Sequence, residues 1–311
     1  MASFHVLEQK ANLFEEIHEA CLKTFWIHIW FTTDVLIFII GVVSNGILLW
    51  LFLRETKSLS ASQVLGLNLV VMDFVYLSIL PFDYAYGYIR ASRDSNNTAT
   101  PNETTPIRLA QNIFPMFNQI GCPLLLACMC IERYLAVVRP VLYLRARKTE
   151  YHVAVSIVVW VITMSFCVAA GVVNNPTIMS LPVSFIVSNL FVIMLASLGG
   201  VVWSLRQQSP AYTSSNASES PLKRRAVVNV LTVVVPSVVA YLPVCMTVPT
   251  LLAFISGSFK IHLVICNIVQ VCELFPRLGV LIGPLFYLAK AKQIFCQGGT
   301  GKTNSATKNC T

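Results

Sequence analysis

Charge is what this sequence has least of. Of its 311 residues, 12% are Asp, Glu, Lys or Arg, against about 25% in ordinary soluble domains. Hydrophobic residues make up 56% and the mean hydropathy is +0.69. So little charge cannot clothe a water-exposed surface, and a soluble globular chain is excluded. Other absences narrow the function. Neither half of the chain repeats the other, which speaks against transporters built from paired, interrupted spans. The apolar segments hold no cluster of metal-ligand residues and no nucleophile beside a base, so an enzyme, a metal and a cofactor are not expected. The first apolar run follows an acidic N-terminus and is long enough to span, so it is expected to act as an uncleaved export signal.

Long apolar runs are what the chain has. Seven occur: Trp26 to Leu53, Gln63 to Tyr88, Ile107 to Val138, Tyr151 to Val173, Leu181 to Leu205, Ala226 to Phe254 and Ile261 to Tyr287. At about 1.5 Å rise per residue, each crosses about 30 Å of hydrocarbon with length to spare for tilt. The runs are continuous, not alternating, which predicts helices and not barrel strands. The expected fold is an all-α membrane protein, a seven-transmembrane helix bundle. A short amphipathic helix is expected after the last span, from Leu288 to Phe295.

The basic residues predict orientation. Arg54, Lys57, Arg139, Arg145, Arg147, Lys148, Arg206, Lys223, Arg224, Arg225 and the tail lysines flank one set of span ends, and far fewer flank the other. The positive-inside rule then puts the N-terminus outside. Residues 1–25 become an extracellular tail, 26–297 the seven-span domain and 298–311 a cytoplasmic tail. The sequons at Asn96 and Asn102 fall in a loop on the outer side by the same count, as glycosylation requires. The +8 net charge thus belongs to membrane flanks, and no nucleic-acid partner is expected. Seven of the ten cysteines lie inside apolar runs and are expected to pack as thiols. Cys296, just past the amphipathic stretch, is a candidate for palmitoylation or an unmodified thiol.

The third run ends in Glu132-Arg133-Tyr134, followed by Leu135 to Pro140. With Gly41 to Asn45, Asn68 to Asp73, Trp160, Pro243 and Pro284 to Tyr287 in order along the runs, the chain resembles a class A, rhodopsin-like, G-protein-coupled receptor. Leu80-Pro81-Phe82 and the stretch Arg133 to Pro140 lean toward the branch of purinergic, protease-activated and hydroxy-acid receptors.

The resemblance implies a plasma-membrane receptor that turns binding of an extracellular ligand into activation of a heterotrimeric G protein, with arrestin as a further partner. It casts Glu132 as the restraint on Arg133, with Tyr134, Pro243, Pro284 and Tyr287 in the same switch. Lys223 stands where some relatives place an acid facing this arginine, so a resting lock there is not expected. The alternative for Arg133 is a side chain that merely reaches to the interface. Ionisable residues inside spans are costly and so functional by default; Asp73 is the clearest. The resemblance gives it a sodium site with Asn45 and Asn118, which Gly279 and Gly283 weaken by supplying no side chains. Nearer the outside, Asp34, Asp83, Tyr84, Tyr241, Glu273 and Arg277 form either a ligand pocket or a structural set. Glu273 and Arg277 are spaced for an ion pair on one helix face. Two departures stand out. Arg108 replaces the cysteine that relatives link to the second outer loop, and Tyr241 replaces the tryptophan two residues before Pro243. They keep open a second reading, a seven-span binder or chaperoning subunit without G-protein exchange, with a transporter behind it.

Overall fold

A computed structural model describes residues 24–54, 61–94, 106–146, 148–173 and 176–207, with short stretches at 240–242, 271, 274–275, 277–281 and 283–284. The described residues are almost all helical. In order they form α1 (Thr24–Arg54), α2 (Ala61–Asp94), α3 (Pro106–Ile113), a π segment (Phe117–Gly121), α4 (Cys122–Val138), α5 (Pro140–Ala146), α6 (Thr149–Val173) and α7 (Pro176–Gln207). Among the described residues five helical stretches are long and apolar enough to cross a membrane: Ile29–Arg54, Gln63–Phe82, Leu109–Val138, Thr149–Val173 and Pro182–Ser204. The chain is a multi-span, all-α membrane-helix bundle. Most of the sixth and seventh runs, and the stretch from Leu288 to Cys296, lie outside the described residues.

In α1 the side turned to the bundle is the more polar one. Asp34, Gly41, Ser44, Asn45 and Leu48 are buried at three- and four-residue steps, while Phe31, Leu36, Ile40, Val43, Ile47 and Trp50 face outward. Lipid tails are as apolar as leucine, so small and polar groups mark the packing face. Gly41 allows close approach: a Cβ there would sit 3.0 Å from Leu77 and 3.4 Å from Val280. Asn45 donates from Nδ2 to the Gly41 carbonyl at 3.0 Å and to the Val280 carbonyl at 3.4 Å, tying the first span to the seventh.

The third span lies at the centre. Ile120, Leu125, Met129 and Cys130 join Leu69 and Met72 of α2, Val159 of α6 and Val187 and Met194 of α7 in one buried cluster. This span is three pieces because of its prolines. Neither Pro115 nor Pro123 has an N–H to give, and between them the ladder widens to a π turn in which the Cys122 N–H reaches the Phe117 carbonyl. The Ile113 carbonyl, just before that stretch, accepts from the Cys167 thiol at 3.6 Å. Single π turns inside helices recur at functional sites, and Asn118 sits in this one. At the inner end Arg139 leaves the helical region, with φ −131° and ψ 64°, because the following proline disfavours it there. Pro140 then opens α5 at the first helical position, where its missing N–H costs nothing.

A polar strut crosses from α2 to α6. Trp160 donates its indole N–H to Asn68 Oδ1 at 2.8 Å, and Asn68 Nδ2 donates to the Val64 carbonyl at 2.8 Å and to Ser156 Oγ at 3.2 Å. The Trp160 ring also meets Phe117 edge-on, 6.0 Å between centroids.

Two expectations shift in detail. The second span runs on in helix to Asp94, past Tyr88. The fifth begins at Pro176, before Leu181, and carries Pro182 inside it, where a proline has no N–H for the helical ladder. The segment after Pro140 is a short helix. Cys122, Cys128, Cys130 and Cys167 are thiols.

Candidate functional site

Three polar places punctuate the bundle. At the inner end, α4 brings Glu132, Arg133 and Tyr134 to its last turns. Glu132 is buried, and both of its carboxylate oxygens lack a hydrogen bond among the described residues. The basic group set against it is not its sequence neighbour but His152 of α6, whose Nε2 is 3.8 Å from Oε2. Arg133 is half-buried. Tyr134 packs on the core with its ring against Gly200 of α7; a Cβ there would fall under 3 Å from two ring carbons.

In the middle, Asp73 is 1% exposed. Its Oδ1 accepts from the Cys122 thiol at 3.3 Å, and its Oδ2 has no hydrogen bond among the described residues. Asn118 and Tyr241 are equally buried and close by. A Cβ on Gly279 would lie 3.3 Å from the Tyr241 hydroxyl and 3.6 Å from Asn118 Oδ1, so both reach the wall that Gly279 leaves bare. Asn45 stands one helix away.

Near the outer end, Asp34 of α1 is bridged to Arg277 of the seventh run by an ion pair with hydrogen-bond contact. The Arg277 guanidinium also lies 4.1 Å from the centroid of the Trp30 ring, one turn from Asp34. Arg277 thus has an acid on another helix as partner, besides any pairing with Glu273, which lies outside the described residues together with Lys223, Pro243, Tyr287, Asn96, Asn102 and Cys296. Asp83 and Tyr84 lie in α2 by their backbone, Asp83 in a stretch whose side chains, like that of Tyr84, are not described. Pro284 is helical and buried.

Residues 44–180 match the model of the 7 transmembrane receptor (rhodopsin family). The chain is rhodopsin-like over that stretch. The matched family is one of receptors, not of enzymes, and the match covers less than half of the chain. A human purinoceptor is 27% identical over 232 residues, 67% of this chain and 58% of its own length. Human hydroxycarboxylic acid receptor 3 is 27% identical over 225 residues, 66% and 54% of the two chains. Human proteinase-activated receptor 3 is 32% identical over 127 residues, 40% and 31%. The match spans about three fifths of the length of the purinoceptors, 61% in the chicken protein.

The sodium site that the resemblance implies at Asp73 is not one that the residues around it fit as a full cage. A hard cation wants several oxygens, whereas Gly279 and Gly283 offer none from their side chains and Cys122 presents a thiol. The vacated space is filled instead: Leu69 would meet a Cβ on Gly283 at 2.8 Å, and Tyr241 occupies the Gly279 side. Exchanging sodium chloride for an equal concentration of potassium chloride is therefore expected to leave the melting temperature of the purified protein unchanged. Ligand linkage gives about 1.4 kcal/mol of stabilisation at ten times the dissociation constant, so a sodium-specific rise would reveal a working cage.

Proposed function

We propose that this protein is a plasma-membrane G-protein-coupled receptor that converts binding of an extracellular ligand into activation of a heterotrimeric G protein, with its N-terminus outside. The observation that carries the reading is the inner end of the third span. A half-buried Arg133 is flanked by a buried acid and by a tyrosine wedged against α7, at the end of the bundle where basic residues gather. An arginine that merely reached to the interface would need no buried acid beside it, since burying a carboxylate is costly. The ligand enters from the opposite side, toward Asp34 and Arg277. Arg277 is already neutralised by Asp34, so a carboxylate or phosphate has to compete with that acid. This agrees with kinship to receptors named for purines and hydroxycarboxylic acids. Arrestin is the expected second cytoplasmic partner.

A second reading, a seven-span binder without exchange activity, is favoured by Tyr241, which fills the centre in place of the usual tryptophan. Basal nucleotide exchange on a panel of G proteins separates the two. Wild-type exchange above background, abolished by Arg133→Ala at matched surface abundance, is the expected result. Exchange that persists in Arg133→Ala would remove Arg133 from the switch. Silence with every G protein, with and without candidate anionic ligands, would favour the binder.

A further inference from the structure

The pair of Asp34 and Arg277 is unfinished on the acid's side. Arg277 donates to Asp34 Oδ2, while Oδ1 of the same carboxylate is shut away from solvent and accepts no hydrogen bond from a described residue. Both oxygens of an ionised carboxylate can only accept, and leaving one buried without a donor is costly. The opening lies along the arginine, whose side chain is 34% exposed against 11% for the acid. Trp30 covers one face of the guanidinium, with Cζ 4.1 Å from the ring centroid. A stacked guanidinium keeps its N–H groups in plane, where they suit carboxylates. One turn further in on each helix, Ile37 and Val280 meet Leu77 and Leu80 in a buried apolar floor.

Charge decides what can join the pair. Arg277 is the one lysine or arginine in the first, second and seventh runs, against the acids Asp34, Asp73, Asp83 and Glu273. A simple anion on Arg277 would add to that surplus and meet Asp34 on the same guanidinium. A simple amine on Asp34 would lie beside the guanidinium that the carboxylate already holds. Either one leaves a like-charge contact where water screens poorly. A molecule that carries both groups leaves neither. We propose that the outer site takes a small zwitterion, an amino acid or a close relative of one. Its ammonium donates to Asp34 Oδ1, its carboxylate accepts from the Arg277 guanidinium, and its apolar body lies toward the floor of Ile37 and Val280. The two charged groups sit on the same or neighbouring carbon atoms, because Asp34 and Arg277 are in direct contact. Positive and negative groups then alternate, and no net charge enters the membrane. This rests on the reading above that the ligand enters toward Asp34 and Arg277, and it narrows the anionic group named there to one that brings its own amine.

The test measures binding to the full chain in lipid nanodiscs, by the shift in thermal unfolding and by ligand-observed NMR, and so needs no G protein. The probes come in two sets, each with one apolar body and three head groups: leucine, 4-methylpentanoate and 3-methylbutylamine, then phenylalanine, 3-phenylpropanoate and 2-phenylethylamine. In at least one set the amino acid is expected to bind the wild type about tenfold or more tighter than either single-charge probe, the fold-change of one charge-assisted hydrogen bond. In Asp34→Asn, which keeps the shape of the side chain, the advantage over the carboxylate probe should vanish. In the double variant Asp34→Asn, Arg277→Gln, which strands no charge, every probe should lose binding. Equal affinities of amino acid and carboxylate probe in the wild type, both lost in the double variant, would overturn the zwitterion while leaving the outer site as the ligand site. Amino-acid binding that the double variant leaves unchanged would place the ligand elsewhere and remove the reading beneath the proposal as well. No binding of either amino acid at about 10 mM, weaker than any built site, would also overturn it. Silence on every G protein would count against coupling alone, because the binding measurements still decide the head group.

Discussion

Replacing Arg277 by leucine is expected to cost about 2 kcal/mol of folded stability, a figure scaled down from the roughly 3 to 5 kcal/mol of a fully buried broken pair. The discount is warranted because the Arg277 side chain is 34% exposed while that of Asp34 is 11% exposed. The same difference predicts asymmetry. Arg277→Leu strands a carboxylate on a membrane helix, with an Oδ1 that has no hydrogen bond from a described residue even in the intact pair. Asp34→Leu leaves a cation that keeps partial access to water and its stacking on Trp30, worth about 0.5 to 1 kcal/mol at exposed sites. That variant should lose about 1 kcal/mol or less, the range of solvent-accessible pairs. The double variant Asp34→Leu, Arg277→Leu should recover most of the loss, since well-packed apolar residues commonly replace a buried ion pair without penalty. Thermal unfolding in nanodiscs and surface abundance in cells both measure this. Equal losses in the two single variants, or a double variant worse than either, would mean that the pair does not carry the contact between the first and seventh spans.

That pair also marks the boundary of what the sequence discloses. Five of the expected spans coincide with helices to within a few residues, because continuous apolar length is a signal that needs no knowledge of neighbours. The inward face of α1 could be read too, through Asp34, Gly41, Ser44 and Asn45 at helical spacing among residues otherwise apolar on every side. Partners distant in sequence could not. Arg277 sits one turn from Glu273, and the local spacing rule draws attention to that acid, while Asp34 lies 243 residues away. At the inner end the motif likewise suggests that Glu132 answers Arg133. Residues next to each other on a helix point about 100° apart, so the side chain across the seam has the better claim. His152 gives no such signal, because a lone histidine carries no pattern. Pro115 and Pro123 stand in plain view within the third run, but a proline signals a bend more readily than a widening. The π turn depends on both lost N–H groups acting on one short stretch that holds Asn118.

Gly200→Ala is expected to be the most disruptive single methyl added to the described bundle. An alanine Cβ there would lie 2.4 Å from Tyr134 Cε2 and 2.9 Å from Cδ2, both on a rigid ring, whereas one on Gly199 would meet nothing within 4 Å. Gly121 is also crowded, with a Cβ 2.5 Å from Met72 Sδ, but a thioether is flexible and can yield. The ring of Tyr134 is half-buried against the core, so it can move only by leaving its packing or by pushing α7 away from α4. Overpacking of this kind costs about 1 to 3 kcal/mol. Gly199→Ala, next to it, should change stability by about 0.5 kcal/mol or less. The combination Gly200→Ala, Tyr134→Ser removes the obstructing ring and should regain part of the loss, which thermal unfolding of the four proteins would show. Coupling adds a second consequence. Tyr134 adjoins Arg133, and a methyl that levers α7 outward opens the face where a G protein would dock, so Gly200→Ala should raise basal exchange relative to Gly199→Ala even as it lowers stability. If instead exchange fell in step with the folded fraction, the contact between Tyr134 and Gly200 would be packing alone.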